Sequence, residues 1–166
     1  AQALADQYAE IGRRVAVTLP RLFDGEPKTP LAIRPTPDYQ APTDPGARYT
    51  PGSLETGQPG VFQFNTFDLP SRRVWSMETL YLHEATPGHH MQIALAAENL
   101  ALPKLLRFDG NTAYGEGWAL YAESLGFELG LFQDPYQRFG HYDDEMLRAM
   151  RLVVDTGLHA QGWTRE

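Results

Sequence analysis

The chain contains no cysteine. That absence excludes disulfide bonds, thiolate metal ligands and a cysteine nucleophile, but it fits a reducing and an oxidising compartment equally well. Positive charge is also scarce, since 14 Lys and Arg residues face 21 Asp and Glu residues, for a formal net charge of −7. Lys and Arg form no cluster, and a phosphate backbone is bound by concentrated positive charge. Nucleic acid is therefore not an expected partner.

Long apolar runs are missing as well. A membrane-spanning helix needs about 20 consecutive apolar residues, and no run in the chain approaches that length. The first stretch, AQALADQYAEIGRRV, has the pattern of an amphipathic helix and not of a signal peptide. The sequence predicts a soluble chain without a membrane-spanning segment, and it leaves the compartment open between exported or periplasmic and cytoplasmic.

Proline is rare after residue 70. Ten of the thirteen prolines lie within residues 20–70, where each removes a backbone donor and disfavours helix just before it. That stretch is predicted to hold loops and short strands, with the best strands at 31–34 and 61–64. From Ser71, a candidate N-cap, apolar residues recur at three and four positions, which indicates helices.

These patterns predict a mainly α fold with a small β-hairpin or sheet before the helix that carries the first histidine. At 166 residues the chain is long enough for one domain with a substantial core. We divide residues 1–166 into a helix at 1–19, loops and strands at 20–70, and a helical core at 71–166. Further helices are expected to start near Asn111 and at Asp134, which precedes a proline.

Three of the five histidines fall in the stretch YLHEATPGHHMQ, residues 81–92. Two histidines four positions apart on a helix can bind one zinc ion, and a glutamate after the first can activate its water. Here Glu84 follows His83, but Pro87 takes the fourth position. On an undistorted helix His89 would point about 120° away from His83.

The proline and glycine in this stretch break the helix. Pro87 cannot donate to the carbonyl four residues earlier, and Gly88 tolerates unusual backbone angles. If the break loops out two residues, His89 returns to the ligand position, whereas looping out three would select His90. We predict His89 as the ligand and place His90 in a supporting position beside the ligands.

With these motifs the chain resembles a family called domain of unknown function 885, whose members carry an H-E-x-x-P-G-H-H motif. The likeness extends to GVFQFNT, YGEGWALYAESLG and RLVVDTGLHAQGW, which follow in the family's order. Four blocks in register are highly specific. Members of this bacterial family are longer than 166 residues, so the resemblance implies a C-terminal catalytic-core fragment of a longer protein.

The family is similar to helical zinc metallopeptidases of the gluzincin type. The resemblance implies a gluzincin-like core with one zinc ion held by His83, His89 and Glu116. Two histidines and one glutamate are an accepted ligand set that leaves one position open. Glu84 would then activate a metal-bound water to attack a peptide or related amide bond. The alternative is a non-catalytic metal-binding or scaffold domain, inactive in this form because it is truncated.

Further site residues follow from helical spacing. Glu123 lies two turns after Glu116 on the same face, where it could accept the other N–H of a ligand histidine. On the last helix a polar stripe offers His159 as a candidate donor to the oxyanion. On that stripe Arg151 could bind a substrate carboxylate or pair with Asp155.

A peptide substrate is the expected partner. Tyr121 and Phe62 are assigned to the substrate site, with a place in the core as the alternative for Tyr121. The VFQF strand could offer an edge to an extended peptide. A helical di-iron or di-manganese centre is excluded, because no glutamate in the chain has a histidine three residues later.

Overall fold

A computed structural model describes residues 1–165. The helices are α1 Gln2–Thr18, α2 Met77–Glu84, α3 His89–Glu98, α4 Lys104–Phe108, α5 Thr112–Ser124 and α6 Pro135–Ala160. The strands are β1 Leu31–Pro35, β2 Ala47–Thr50 and β3 Gly60–Phe64. Helices make up 52% of the molecule beside this one small sheet, so the prediction of a mainly α fold with a minor strand element is confirmed.

The three strands form one sheet in the order β1-β3-β2. β3 pairs in parallel with β1 and antiparallel with β2. Because β3 is bonded on both sides, the prediction that the VFQF strand offers an edge to a peptide is wrong. The edges of the sheet are formed by β1 and β2, and β2 was not among the strands predicted from the sequence.

Aromatic packing joins the sheet to α1 and α2. The Phe62 ring lies 4.8 Å from that of Tyr8 on α1 and 6.2 Å from that of Tyr81 on α2, both edge to face. Phe62 is 0% exposed. Its assignment to the substrate site is therefore wrong, since its side chain has no surface to offer. Its role is to hold α2, the helix of His83, against the sheet.

A buried carboxylate adds a polar tie at the same place. Glu78 on α2 accepts hydrogen bonds from the Arg14 guanidinium at 2.7 Å and from the Phe132 backbone N–H at 2.5 Å. Buried charge is tolerated when it is paired and hydrogen-bonded in this way. The bonds fix α2 between α1 and the turn that follows α5.

Two of the three predicted helix starts are correct. The Asn111 and Asp134 side chains each cap a helix by accepting a backbone N–H from its first turn, at 3.0 and 2.9 Å. The prediction at Ser71 is wrong. Its hydroxyl bonds backward to the Asp68 carbonyl, within a short 3-10 turn, and α2 begins only at Met77.

Among residues 1–165, no helix combines the length and the apolar character required to cross a membrane.

Replacing Phe62 with alanine should lower the free energy of unfolding by about 3–5 kcal/mol, because it empties the space between the sheet and two helices. Phe108→Ala is the control, since that ring is 66% exposed and surface changes usually cost about 0.5 kcal/mol or less. Chemical denaturation of both variants measures the difference. Equal losses would contradict the placement of Phe62.

Candidate metal centre

The helix that carries His83 breaks completely before His89. α2 ends at Glu84 and α3 begins at His89, with a turn at residues 85–88 between them. The sequence predicts a bulge in one continuous helix, whereas the structure has a junction between two separate helices. The His83 and His89 rings face each other, with centroids 4.7 Å apart and planes at 88°.

Close backbone packing holds this junction. A Cβ on Gly88 would lie 1.9 Å from the His83 carbonyl oxygen and 2.2 Å from that of Leu82, so a side chain does not fit there. On the other side, the Trp118 indole N–H of α5 donates to the Pro87 carbonyl at 2.8 Å. The turn is therefore fixed from both neighbouring helices.

α5 brings a carboxylate to the two imidazoles. Glu116 Oε2 lies 3.4 Å from His83 Nε2, and Glu116 Oε1 lies 3.6 Å from His89 Nε2. Donor atoms of these three residues all lie within 4.8 Å of one another, so the group could hold a metal ion. Ligand atoms about 2.1 Å from a tetrahedral zinc stand about 3.4 Å apart. The donor set therefore fits a small divalent ion with little movement.

The His83 ring is oriented by its other nitrogen. Its Nδ1 lies 2.7 Å from Oε1 of the buried Glu123. A carboxylate accepts here, so Nδ1 carries the proton and Nε2 turns its lone pair toward Glu116. Burial alone would lower the pKa of His83, but the hydrogen bond and charge of Glu123 outweigh it and raise that pKa. Metal-ligating histidines typically have such a partner.

His89 has a different environment. Burial and the charge of His83 lower the pKa of His89, which favours the neutral ring that metal ions require. Its Nδ1 is buried and has no hydrogen-bond partner within residues 1–165. The His89 ring is thus held by packing and by the close fit at Gly88.

Glu84 lies at the end of α2 and is almost fully buried. Burial raises the pKa of Glu84, and Glu116 adds to this, while the charge of His83 and the Tyr49 backbone act in the opposite direction. A raised carboxyl pKa suits a group that accepts and returns a proton near neutral pH. Its contact with Tyr49 also places Glu84 beside β2.

The His90 side chain bonds to the sheet and makes no hydrogen bond to the three candidate ligands among the described residues. Its Nδ1 lies 3.0 Å from the Tyr49 hydroxyl, and Gly60 provides the space because a Cβ there would meet both groups. The predicted supporting position beside the ligands is therefore wrong. His90 joins the start of α3 to the sheet.

His159 is remote from the cluster. Arg148 of α6 contacts Glu123 at 3.2 Å, and His159 lies eleven residues later, about 16 Å further along the helix axis. Its side chain is 81% exposed and pairs with Asp155 at 3.4 Å. The structure does not bring it to the cluster, because the helix carries it past the site.

The two remaining residues predicted for the substrate site, Arg151 and Tyr121, lie on exposed surfaces. Arg151 is exposed on α6, and the expected pair with Asp155 is replaced by the pair with His159. Tyr121 on α5 is 54% exposed, with its ring 5.7 Å from that of Trp118. Tyr121 is thus outside the core, and its contact with substrate stays a prediction.

Three site residues were not assigned from the sequence. Trp118 lies in the YGEGWALYAESLG block two residues after Glu116, which is a usable signal. Arg148 precedes Arg151 by three residues on the same polar stripe of the last helix, but nothing else in the sequence marks it. Tyr49 gave no signal, because its strand was missed.

A family model described as "Bacterial protein of unknown function (DUF885)" matches residues 1–166. The chain belongs to this family. A crystal structure described as that of "the putative lipoprotein from Colwellia psychrerythraea" is similar, with a TM-score of 0.94 and 36% sequence identity. The match covers 99% of this chain and 28% of that one, so the DUF885 chain spans little more than a quarter of that relative's length. No curated protein matches the chain.

In this DUF885 chain, Gly88→Ala should lower the free energy of unfolding by about 3 kcal/mol or more, the upper end for overpacking, because the added Cβ meets two backbone carbonyls. Gly117→Ala is the matched control, with nothing within 4 Å of its Cβ. In helix α5 it should be neutral or stabilising by up to about 1 kcal/mol. Thermal and denaturant unfolding give both values, and a well-tolerated Gly88→Ala would contradict the junction geometry.

Proposed function

We propose that this chain is the catalytic core of a zinc-dependent hydrolase, a gluzincin-like metallopeptidase that cleaves peptide or related amide bonds. The observation that carries the proposal is the meeting of His83, His89 and Glu116 beside a buried carboxyl group, Glu84.

The donor set favours zinc. Two imidazoles and one carboxylate suit a catalytic zinc site, which uses three protein ligands and leaves a fourth position open. The absence of cysteine removes the thiolate sets of many structural zinc sites. A bound zinc ion supplies Lewis acidity, which lowers the pKa of water to about 7 and polarises the scissile carbonyl.

Glu84 is the proposed general base. Its buried carboxyl lies close enough to His83 and Glu116 for their charges to act on its pKa. It takes a proton from the attacking water and returns it to the leaving amine. Such a group typically contributes a factor of about 10²–10⁴ to the rate.

The free edge of β2 is the proposed place of the substrate backbone. β2 pairs only with β3 in the sheet that the structure describes, and its Tyr49 backbone lies at Glu84. An extended peptide added to this edge would pass directly in front of the proposed base. Exposed Tyr121 on α5 is retained as a candidate contact for a substrate side chain.

The second candidate is a metal-binding or scaffold domain without turnover. One observation favours it: the match with this chain covers only 28% of the relative's chain, so most of that longer protein has no counterpart here. The two candidates differ in cleavage and agree on metal binding.

Elemental analysis tests the metal set. We expect about one zinc per chain in the wild-type protein and a content near zero in Glu116→Ala, because two imidazoles alone hold the ion weakly. Glu128→Ala is the control, since it removes an equal charge from an exposed position of the same region. Unchanged zinc in Glu116→Ala would exclude Glu116 as a ligand.

A peptide-library digest tests turnover. We expect zinc-dependent cleavage that falls about 10²–10⁴-fold in Glu84→Gln, while the zinc content stays at the wild-type level. Chelation and zinc readdition serve as the control for metal dependence. Equal cleavage by both proteins contradicts the role of Glu84, and zinc binding without any cleavage selects the scaffold candidate.

A further inference from the structure

Arg148 is set apart from its neighbours on α6. Among residues 145–160, all of which the structure describes, only Arg148 and Gly157 are not exposed. Gly157 is covered by the Trp163 ring, which lies 2.2 Å from its ideal Cβ position. Arg148 instead extends its guanidinium to Glu123, the carboxylate that contacts His83.

The guanidinium reaches the carboxylate that orients a ligand histidine. Arg148 Nη2 lies 3.2 Å from Glu123 Oε1, and the same oxygen lies 2.7 Å from His83 Nδ1. The Glu123 side chain is only 3% exposed, so water does not solvate this charge. Arg148 is its cationic partner.

Two donors on one carboxylate oxygen restrict its direction more than one donor does. A carboxylate bonded only to an imidazole can rotate about its last bond and carry the ring with it. The planar guanidinium is a rigid donor, and hydrogen bonds between charged groups are about twice as strong as neutral ones. Arg148 therefore limits the positions open to Glu123.

Asp144 lies one turn before Arg148 on α6 and is partly buried. Burial raises the pKa of Asp144, and the charges of Glu123 and Arg148 also act on it, in opposite directions. The contact that fixes the guanidinium is therefore its ion pair with Glu123.

We propose that Arg148 is a positioning residue of the metal centre: it fixes Glu123, which fixes the proton on Nδ1 of His83 and turns His83 Nε2 toward the metal. The proposal rests on the proposed function, since the metal is the group that this nitrogen meets. It adds α6 to the elements that build the site.

Zinc affinity, measured by chelator competition, tests this chain of contacts. Arg148→Met should weaken zinc binding about tenfold, the lower end of the range for partners of metal ligands. Arg13→Met is the matched control, because it also removes an arginine from a Glu pair, on exposed α1. In a Glu123→Ala background, Arg148→Met should have no further effect, since Arg148 acts through Glu123. An equal loss in both backgrounds, or no loss relative to Arg13→Met, overturns the proposal.

The ring itself gives a second measurement that needs no zinc. In metal-free protein at alkaline pH, ¹⁵N spectra of labelled histidine should show His83 protonated at Nδ1 in the wild type, in Arg13→Met and in Arg148→Met, because the Glu123 carboxylate accepts that proton in all three. The Nδ1–H proton should exchange with solvent faster in Arg148→Met than in the other two proteins, because Glu123 is then less restricted, and Arg148→Lys should restore part of the protection. An unchanged exchange rate in folded Arg148→Met overturns the proposal.

The two measurements separate this inference from the proposed function. If the protein binds zinc but cleaves no peptide, the proposed hydrolase activity is wrong and the role of Arg148 is unaffected. If the wild-type protein binds no zinc, the proposed metal centre is wrong, and the ¹⁵N result then decides whether Arg148 positions His83. Full cleavage with unchanged zinc affinity and unchanged Nδ1–H exchange in Arg148→Met would exclude the role of Arg148 alone.

Discussion

The site depends on the close approach of Gly88 to the last carbonyls of α2. With no Cβ to clash with the His83 carbonyl, the chain turns back on itself and starts a new helix at His89. His83 and His89 then face each other, although an unbroken helix would point them about 120° apart. The proline and glycine lie in the turn that separates the two helices, and this turn brings the two rings together.

The rest of the fold serves to hold that junction. Phe62 and Glu78 fix α2 on the sheet and on α1, Trp118 holds the turn, and α5 supplies Glu116 on the open side. Each contact joins parts of the chain that are far apart in sequence. The cluster is therefore a property of the packed core, and it requires α1, the sheet and α5 together.

Residues governed by local physics were predictable from the sequence. The caps at Asn111 and Asp134 act on their own first turns. The number of residues looped out at the break left both His89 and His90 open, and only the packed structure shows that the His89 ring faces His83. The remaining predictions failed because they depend on tertiary contacts. β2 gains its pairing only from β3. Phe62 lies between apolar Val61 and polar Gln63 in the central strand, so the local pattern could not distinguish a core face from a substrate face. His159 shares a stripe with Arg148, but a straight helix carries it away from the site.

The proposed metal centre requires that His83, His89 and Glu116 bind one metal ion together. Anomalous diffraction at the zinc edge, from crystals of the zinc-loaded protein, locates that ion. We expect one strong peak about 2.0–2.1 Å from the Nε2 atoms of both histidines, with a Glu116 oxygen at a similar distance. A peak on other residues, or none at this cluster, would contradict it.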